Sequence, residues 1–228
     1  MSKERGEQTT TDFERRYLAR EVQAMGEGES RNIGGYGAVF NVFTDMWWYL
    51  EVVDPGAFAN ADTEATACLH NHLDHLVVGR TKNGTLQLST DTTGLLYDCD
   101  VAKTNVGNDL LELVRRQDVY QSSFGFTIKK QVWEEVDRAT LVGSVSDAVL
   151  DKVSYGGRVE IRRIMEVGIL YDVSPVTFPA YNDTTVAKKS RDAWRAQLRA
   201  SDPRGAEIAE KMRLMDYDLR LKGMRMRM

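Results

Sequence analysis

Cysteine and histidine are scarce in this 228-residue chain, which has two of the first and three of the second. Cys68 and Cys99 fall in strand-like segments and make no metal-ligand spacing, so they read as buried thiols of a reducing compartment. Long apolar runs are missing as well. The longest, such as Met46–Leu50, are far too short to span a bilayer, and the polar stretch Met1–Thr11 is not a signal peptide. A surplus of positive charge is also lacking: the net charge of −4 argues against nucleic acid as the main partner. Gly34, Gly35 and Gly37 lie close together, but without the spacing or the strand-to-helix context of a phosphate loop.

What is present is the composition of a soluble globular protein, 42% hydrophobic and 28% charged. The length suits one domain of moderate size with tails, or two small domains. Charge is unevenly placed. Residues 188–228 carry 12 Lys+Arg against 6 Asp+Glu, whereas residues 1–187 carry 18 against 28. The division that follows is a polar, disordered N-terminus over 1–14, a folded domain over 15–187 and a basic helical tail over 188–228, broken at Asp202-Pro203. Within the domain, alternation predicts strands at Tyr17–Met25, Ile33–Val42, Trp47–Val53, Thr66–His72, Thr85–Ser89, Leu95–Val101, Gln121–Ile128 and Arg163–Val173. One helix is expected over Asn108–Arg116, capped by Asn105 or Asn108, and residues 138–157 read as a loop or insertion. Many short strands around one helix indicate a β-rich α+β domain, a barrel or strongly bent sheet.

The strand Gln121–Ile128 carries the most chemistry. Ser122, Phe124, Phe126 and Ile128 share one face, and Gln121, Ser123, Gly125 and Thr127 the other. Glycine inside a strand packs nothing and marks a place of close approach, so Gly125 leaves room beside Ser123. Taken alone, the segment favours an ordinary solvent-facing strand serine, and the rest of the chain shifts that reading. Ser122 lies with the phenylalanines and is expected to be structural. A serine hydroxyl becomes a nucleophile when a base takes its proton, and a neutral histidine backed by a carboxylate is the usual arrangement. The chain offers His72, Ser123 and an acid near Asp172, with Glu166 on the same strand face as the alternative orienter.

All three histidines fall in His70-Asn71-His72-Leu73-Asp74-His75. That pattern resembles the zinc signature of the metallo-β-lactamase superfamily, and imidazoles two apart on a strand share a face. Such a site needs further histidines downstream, and none remain. A zinc-dependent hydrolase using His70, His72 and His75 stands as the lesser reading; the favoured one needs no metal and no cofactor.

Several motifs occur together in order: Asp54-Pro55-Gly56-Ala57-Phe58, Asn71-His72, Gly79-Arg80, Asp91-Thr92-Thr93-Gly94-Leu95, Ser123-Phe124-Gly125-Phe126 and Val173-Ser174-Pro175-Val176-Thr177-Phe178-Pro179-Ala180-Tyr181. Over residues 31–187 this resembles the HK97-type phage prohead serine proteases. The resemblance implies a fold like herpesvirus assemblin, a β-barrel flanked by a few helices. It also implies a serine endopeptidase that cuts scaffold or the scaffolding segment of the capsid protein inside the assembling prohead, in the host bacterial cytoplasm. Such enzymes often cut themselves, and assemblins pair as dimers. Position by position, Ser123 matches the nucleophile, His72 the general base and Asp172 the acid two residues before Ser-Pro-Val. Two departures stand out. The family usually has Asp directly after the histidine, where Leu73 intervenes here, and usually Glu where Asp172 stands. An inactive structural or scaffolding protein of the same fold is therefore the alternative.

Overall fold

Two long strands frame the molecule, and both are longer than the sequence suggests. The computed structural model describes residues 3–8, 13–25 and 30–177, with residues 3–8 and 17–21 described by their backbone only. In chain order the strands are β1 (Lys3–Gln8), β2 (Phe13–Glu21), β3 (Gln23–Met25), β4 (Asn32–Val39), β5 (Thr44–Asp45), β6 (Leu50–Val53), β7 (Ala67–Leu69), β8 (Val77–Arg80), β9 (Leu86–Thr90) and β10 (Gly94–Asp100). Helix α1 (Asn105–Arg115) follows, then β11 (Gln121–Asp137), a short helix α2 (Asp147–Val153), β12 (Ser154–Tyr155) and β13 (Arg158–Val176). Among the described residues the protein is β-rich with two α-helices.

β11 and β13 pair antiparallel from Gln121↔Val176 to Asp137↔Arg158 and form the spine of a nine-stranded sheet. β1 and β2 line one edge of β11, while β6 and β7 run parallel to β13 on its far side. A four-stranded sheet, β3-β4-β10-β9, packs against it. The chain passes from one sheet to the other at Val22, between β2 and β3. Phe124, Phe126, Ile128, Val167, Leu170 and Val173 of the first sheet meet Ile33, Ala38, Leu95, Tyr97 and Cys99 of the second in one buried core. Helix α1 closes that core with Leu110, Leu111 and Val114. Contact with Cys99 together with burial pushes the Cys68 thiol up, so both free cysteines behave as apolar core residues.

Five expectations need correction. The strand pairing among the described residues makes two sheets and no closed barrel. Trp47 to Tyr49 do not extend β6, because Trp47 sits at φ 74°, in the left-handed region that no strand residue adopts. Thr104, and neither Asn105 nor Asn108, caps α1: its hydroxyl accepts the Gly107 N–H. Residues 138–157 contain α2 and a short β12–β13 hairpin in place of a loop. Lys3–Gln8 and Phe13–Glu14, expected to be disordered, pair with β11. The basic tail expected over 188–228 lies outside the described residues.

Candidate active site

Three neighbouring strands bring the site together. Ser123 on β11 stands directly opposite Ser174 on β13, and Gly125 opposite Asp172, so all four share one face of the sheet. β7 runs parallel to β13 with Ala67 opposite Asp172 and Cys68 opposite Val173. Just beyond β7 the chain turns back over this face. Asn71 and His72 take φ values of 54° and 58°, which swings the His72 ring toward β11. Asparagine tolerates that region best of the non-glycine residues, and its side chain is tied down: Asn71 Oδ1 accepts the Thr177 N–H at 2.9 Å, while its own N–H donates to the Pro175 carbonyl at 3.0 Å.

The result is one hydrogen-bonded chain. His72 Nδ1 lies 2.5 Å from Asp172 Oδ1, and His72 Nε2 contacts Ser123 Oγ. A carboxylate can only accept, so Nδ1 carries the hydrogen and the neutral ring offers Nε2 as the acceptor for the serine proton. Ser174, which sequence reasoning did not single out, donates its hydroxyl to the same Asp172 Oδ1 at 2.5 Å. Its only signal in the sequence was its place beside Pro175. Gly125 is explained by the acid: a Cβ there would lie 2.3 Å from Asp172 Oδ2. The bare position makes room for the carboxylate that orients His72.

The other candidates lie elsewhere. Ser122 is buried on the opposite face, hydrogen-bonded to the Tyr97 hydroxyl at 2.9 Å. Glu166 reaches Lys129 Nζ at 2.6 Å at the surface. His75 is exposed beside Asp74 at 3.5 Å, and His70 is half-buried, its pKa lowered by burial. The three histidines do not converge, and among the described residues no cluster of three or more His, Cys, Asp or Glu is placed to hold a metal.

Beneath the site lies a buried ionic cluster that the sequence did not reveal. Arg16 pairs with Glu14 and Glu51, and Arg162 with Glu14 at 2.7 Å, with Glu51 at 3.2 Å and with Gln131 at 2.5 Å. Burial alone would raise the Glu14 pKa, but Arg16 and Arg162 outweigh it and lower it from 4.5 to about 2. Two guanidinium groups and two carboxylates balance, which removes the cost of an unpaired buried charge. The cluster fixes β2, whose Arg16 carbonyl stands 2.7 Å from Ser123 Oγ as a second acceptor for its one hydrogen. Runs of Glu and Arg at 14–16 look in sequence like a solvated tail, so this contact carried no signal there.

A protein-family model described as caudovirus prohead serine protease matches residues 17–199. No curated protein and no solved structure matches the chain.

Proposed function

Since the chain belongs to the caudovirus prohead serine protease family, a family of capsid-maturation proteases, we propose that Ser123 is its nucleophile, His72 its general base and Asp172 the residue that orients the base. The observation that carries this reading is the unbroken hydrogen-bonded chain from Ser123 Oγ through both ring nitrogens of His72 to Asp172. Ser123 and Asp172, 51 and 100 positions from His72 in the chain, stand at opposite nitrogens of its ring, the placement that supports general-base catalysis.

In this mechanism His72 Nε2 takes the Ser123 proton as Oγ attacks the scissile carbonyl carbon. Asp172 holds the Nδ1–H and stabilises the imidazolium that forms. Collapse of the tetrahedral intermediate breaks the C–N bond, and His72 returns its proton to the departing amine. Water then repeats the sequence on the acyl-enzyme, with His72 again as base. Ser174 keeps Asp172 Oδ1 from turning away from the ring. Replacing the family's more usual Glu with the shorter Asp is compatible with contact, because His72 rides on a turn that lowers it toward β13.

The substrates are capsid and scaffold proteins of the prohead, including the scaffolding segment of the capsid protein, and the chain itself is a further substrate. The setting is the assembling prohead in the host cytoplasm, and the active form is a homodimer. Incubating wild-type and Ser123→Ala chains with the capsid and scaffold proteins of the same phage tests this by gel and mass spectrometry. Cleavage by wild type alone, unchanged by EDTA, is expected. Absence of cleavage by wild type selects the inactive structural alternative, and loss on adding EDTA the zinc-dependent one.

A further inference from the structure

The catalytic groups are sealed: Ser123 is 0% exposed, Asp172 3% and His72 6%. No substrate carbonyl can reach Ser123 in this conformation. What seals them is the protein's own N-terminal segment. β13 takes one edge of β11 along its whole length, and β1 and β2 take the other. In the β2 register Tyr17 lies opposite Ser123, Arg15 opposite Gly125 and Phe13 opposite Thr127. Phe13 Cζ lies 3.0 Å from where a Gly125 Cβ would stand, and Arg15 reaches the His72 carbonyl at 3.4 Å.

From this arrangement we infer that the β11 edge from Gln121 to Thr127 is the binding site for the substrate backbone, and that β2 occupies it as a substrate-like strap. The inference rests on Ser123 being the nucleophile. The ligand class is an extended peptide added as an antiparallel strand, a mode in which main-chain hydrogen bonds supply affinity independently of sequence. A carbonyl already stands where such a peptide must place one, since that of Arg16 is 2.7 Å from Ser123 Oγ. A hydroxyl has one hydrogen. His72 Nε2 and the Arg16 carbonyl compete for it, so the strap draws the proton away from the base as well as covering the nucleophile.

The ionic cluster makes the strap removable. When β2 leaves, it takes away Glu14 and Arg16, a neutral pair, and the two charges that stay behind, Arg162 and Glu51, already contact each other at 3.2 Å. No lone charge is stranded in the core, which is the condition for opening without unfolding. Residues 13–16, which carry the contacts to Ser123 and His72, also precede the stretch matched by the family model.

The test is a staple on the full-length chain. Phe13→Cys with Thr127→Cys places two thiols directly opposite each other, and a fluorophosphonate probe reports the accessibility of Ser123. Labelling in the oxidised form is expected to be at least about 100-fold slower than in the reduced form, with recovery on adding reductant. Equal labelling in both forms overturns the strap. No labelling of Ser123 in either form overturns the nucleophile assignment, and this proposal with it. A second variant guards against a staple that fails to form. Glu14→Gln weakens the clasp and is expected to speed labelling about tenfold, where a merely structural cluster would leave the rate unchanged or lower it.

Discussion

Alanine at position 125 is the smallest change that reaches the proposed triad without replacing any of its members. An ideal Cβ there would lie 2.3 Å from Asp172 Oδ2 and 3.0 Å from Phe13 Cζ. A carbon and a carboxylate oxygen need roughly 1 Å more than the first distance, and a shift of about 1 Å at a catalytic group costs about 100-fold in rate. The shift is harmful because the other oxygen of this carboxylate holds both His72 Nδ1 and Ser174 Oγ. Complete loss of the orienting contact sets the upper end, about 10⁴-fold. Gly125→Ala is therefore expected to lower kcat by about 10²- to 10⁴-fold, or about 2.7–5.4 kcal/mol of barrier, with KM little changed. The assay is steady-state cleavage of a fluorogenic peptide from the capsid-precursor cleavage site, beside a thermal melt. Gly168→Ala is the control: its Cβ would meet Thr127 Oγ1 at 2.8 Å, away from His72. It is expected to cost about 1–3 kcal/mol of stability by overpacking and to leave kcat intact. A Gly125→Ala enzyme with wild-type kcat would refute the role given to Asp172.

Asp172→Asn is expected to lower kcat about 10⁴-fold, whereas Glu166→Gln, which breaks only a surface pair with Lys129, leaves it unchanged; the same peptide assay reads both. Ser122→Ala leaves the Tyr97 hydroxyl unpaired in the core and is expected to cost about 1–3 kcal/mol in urea unfolding while retaining activity. Glu14 has a folded pKa depressed from 4.5 to about 2, so its stabilisation is complete above pH 4.5 and is lost as the pH falls from there toward 2. That linkage is about 3 kcal/mol. Urea unfolding of wild type at pH 7 and at pH 3 is expected to show a loss that Glu14→Gln does not share.

Two-residue periodicity assigned Ser122 and Ser123 to the correct faces, because the first part of β11 is regular. On β13 the same rule placed Glu166 and Asp172 on one face. The structure has register shifts opposite Phe126, Ile128 and Lys130, which separate Glu166 from Asp172. Bulges leave no sequence mark that alternation can read. Ser123 and His72 came together on paper through chemistry and resemblance; the turn at Asn71 that makes the contact is a backbone property. Glu14, Arg16, Glu51 and Arg162 were invisible for a different reason: a buried charge and a solvated one are the same letter, and only the fold decides which is paired. Helix α2 escaped notice because seven residues give too few turns for a periodic stripe.

The most direct measurement is peptide mapping by mass spectrometry after prolonged incubation of the full-length chain with a fluorophosphonate. One phosphonyl adduct is expected, on Ser123, absent from Ser123→Ala and from His72→Ala chains that melt like wild type. An adduct on another serine, or undiminished labelling without His72, would contradict the assignment of Ser123 as a nucleophile activated by His72.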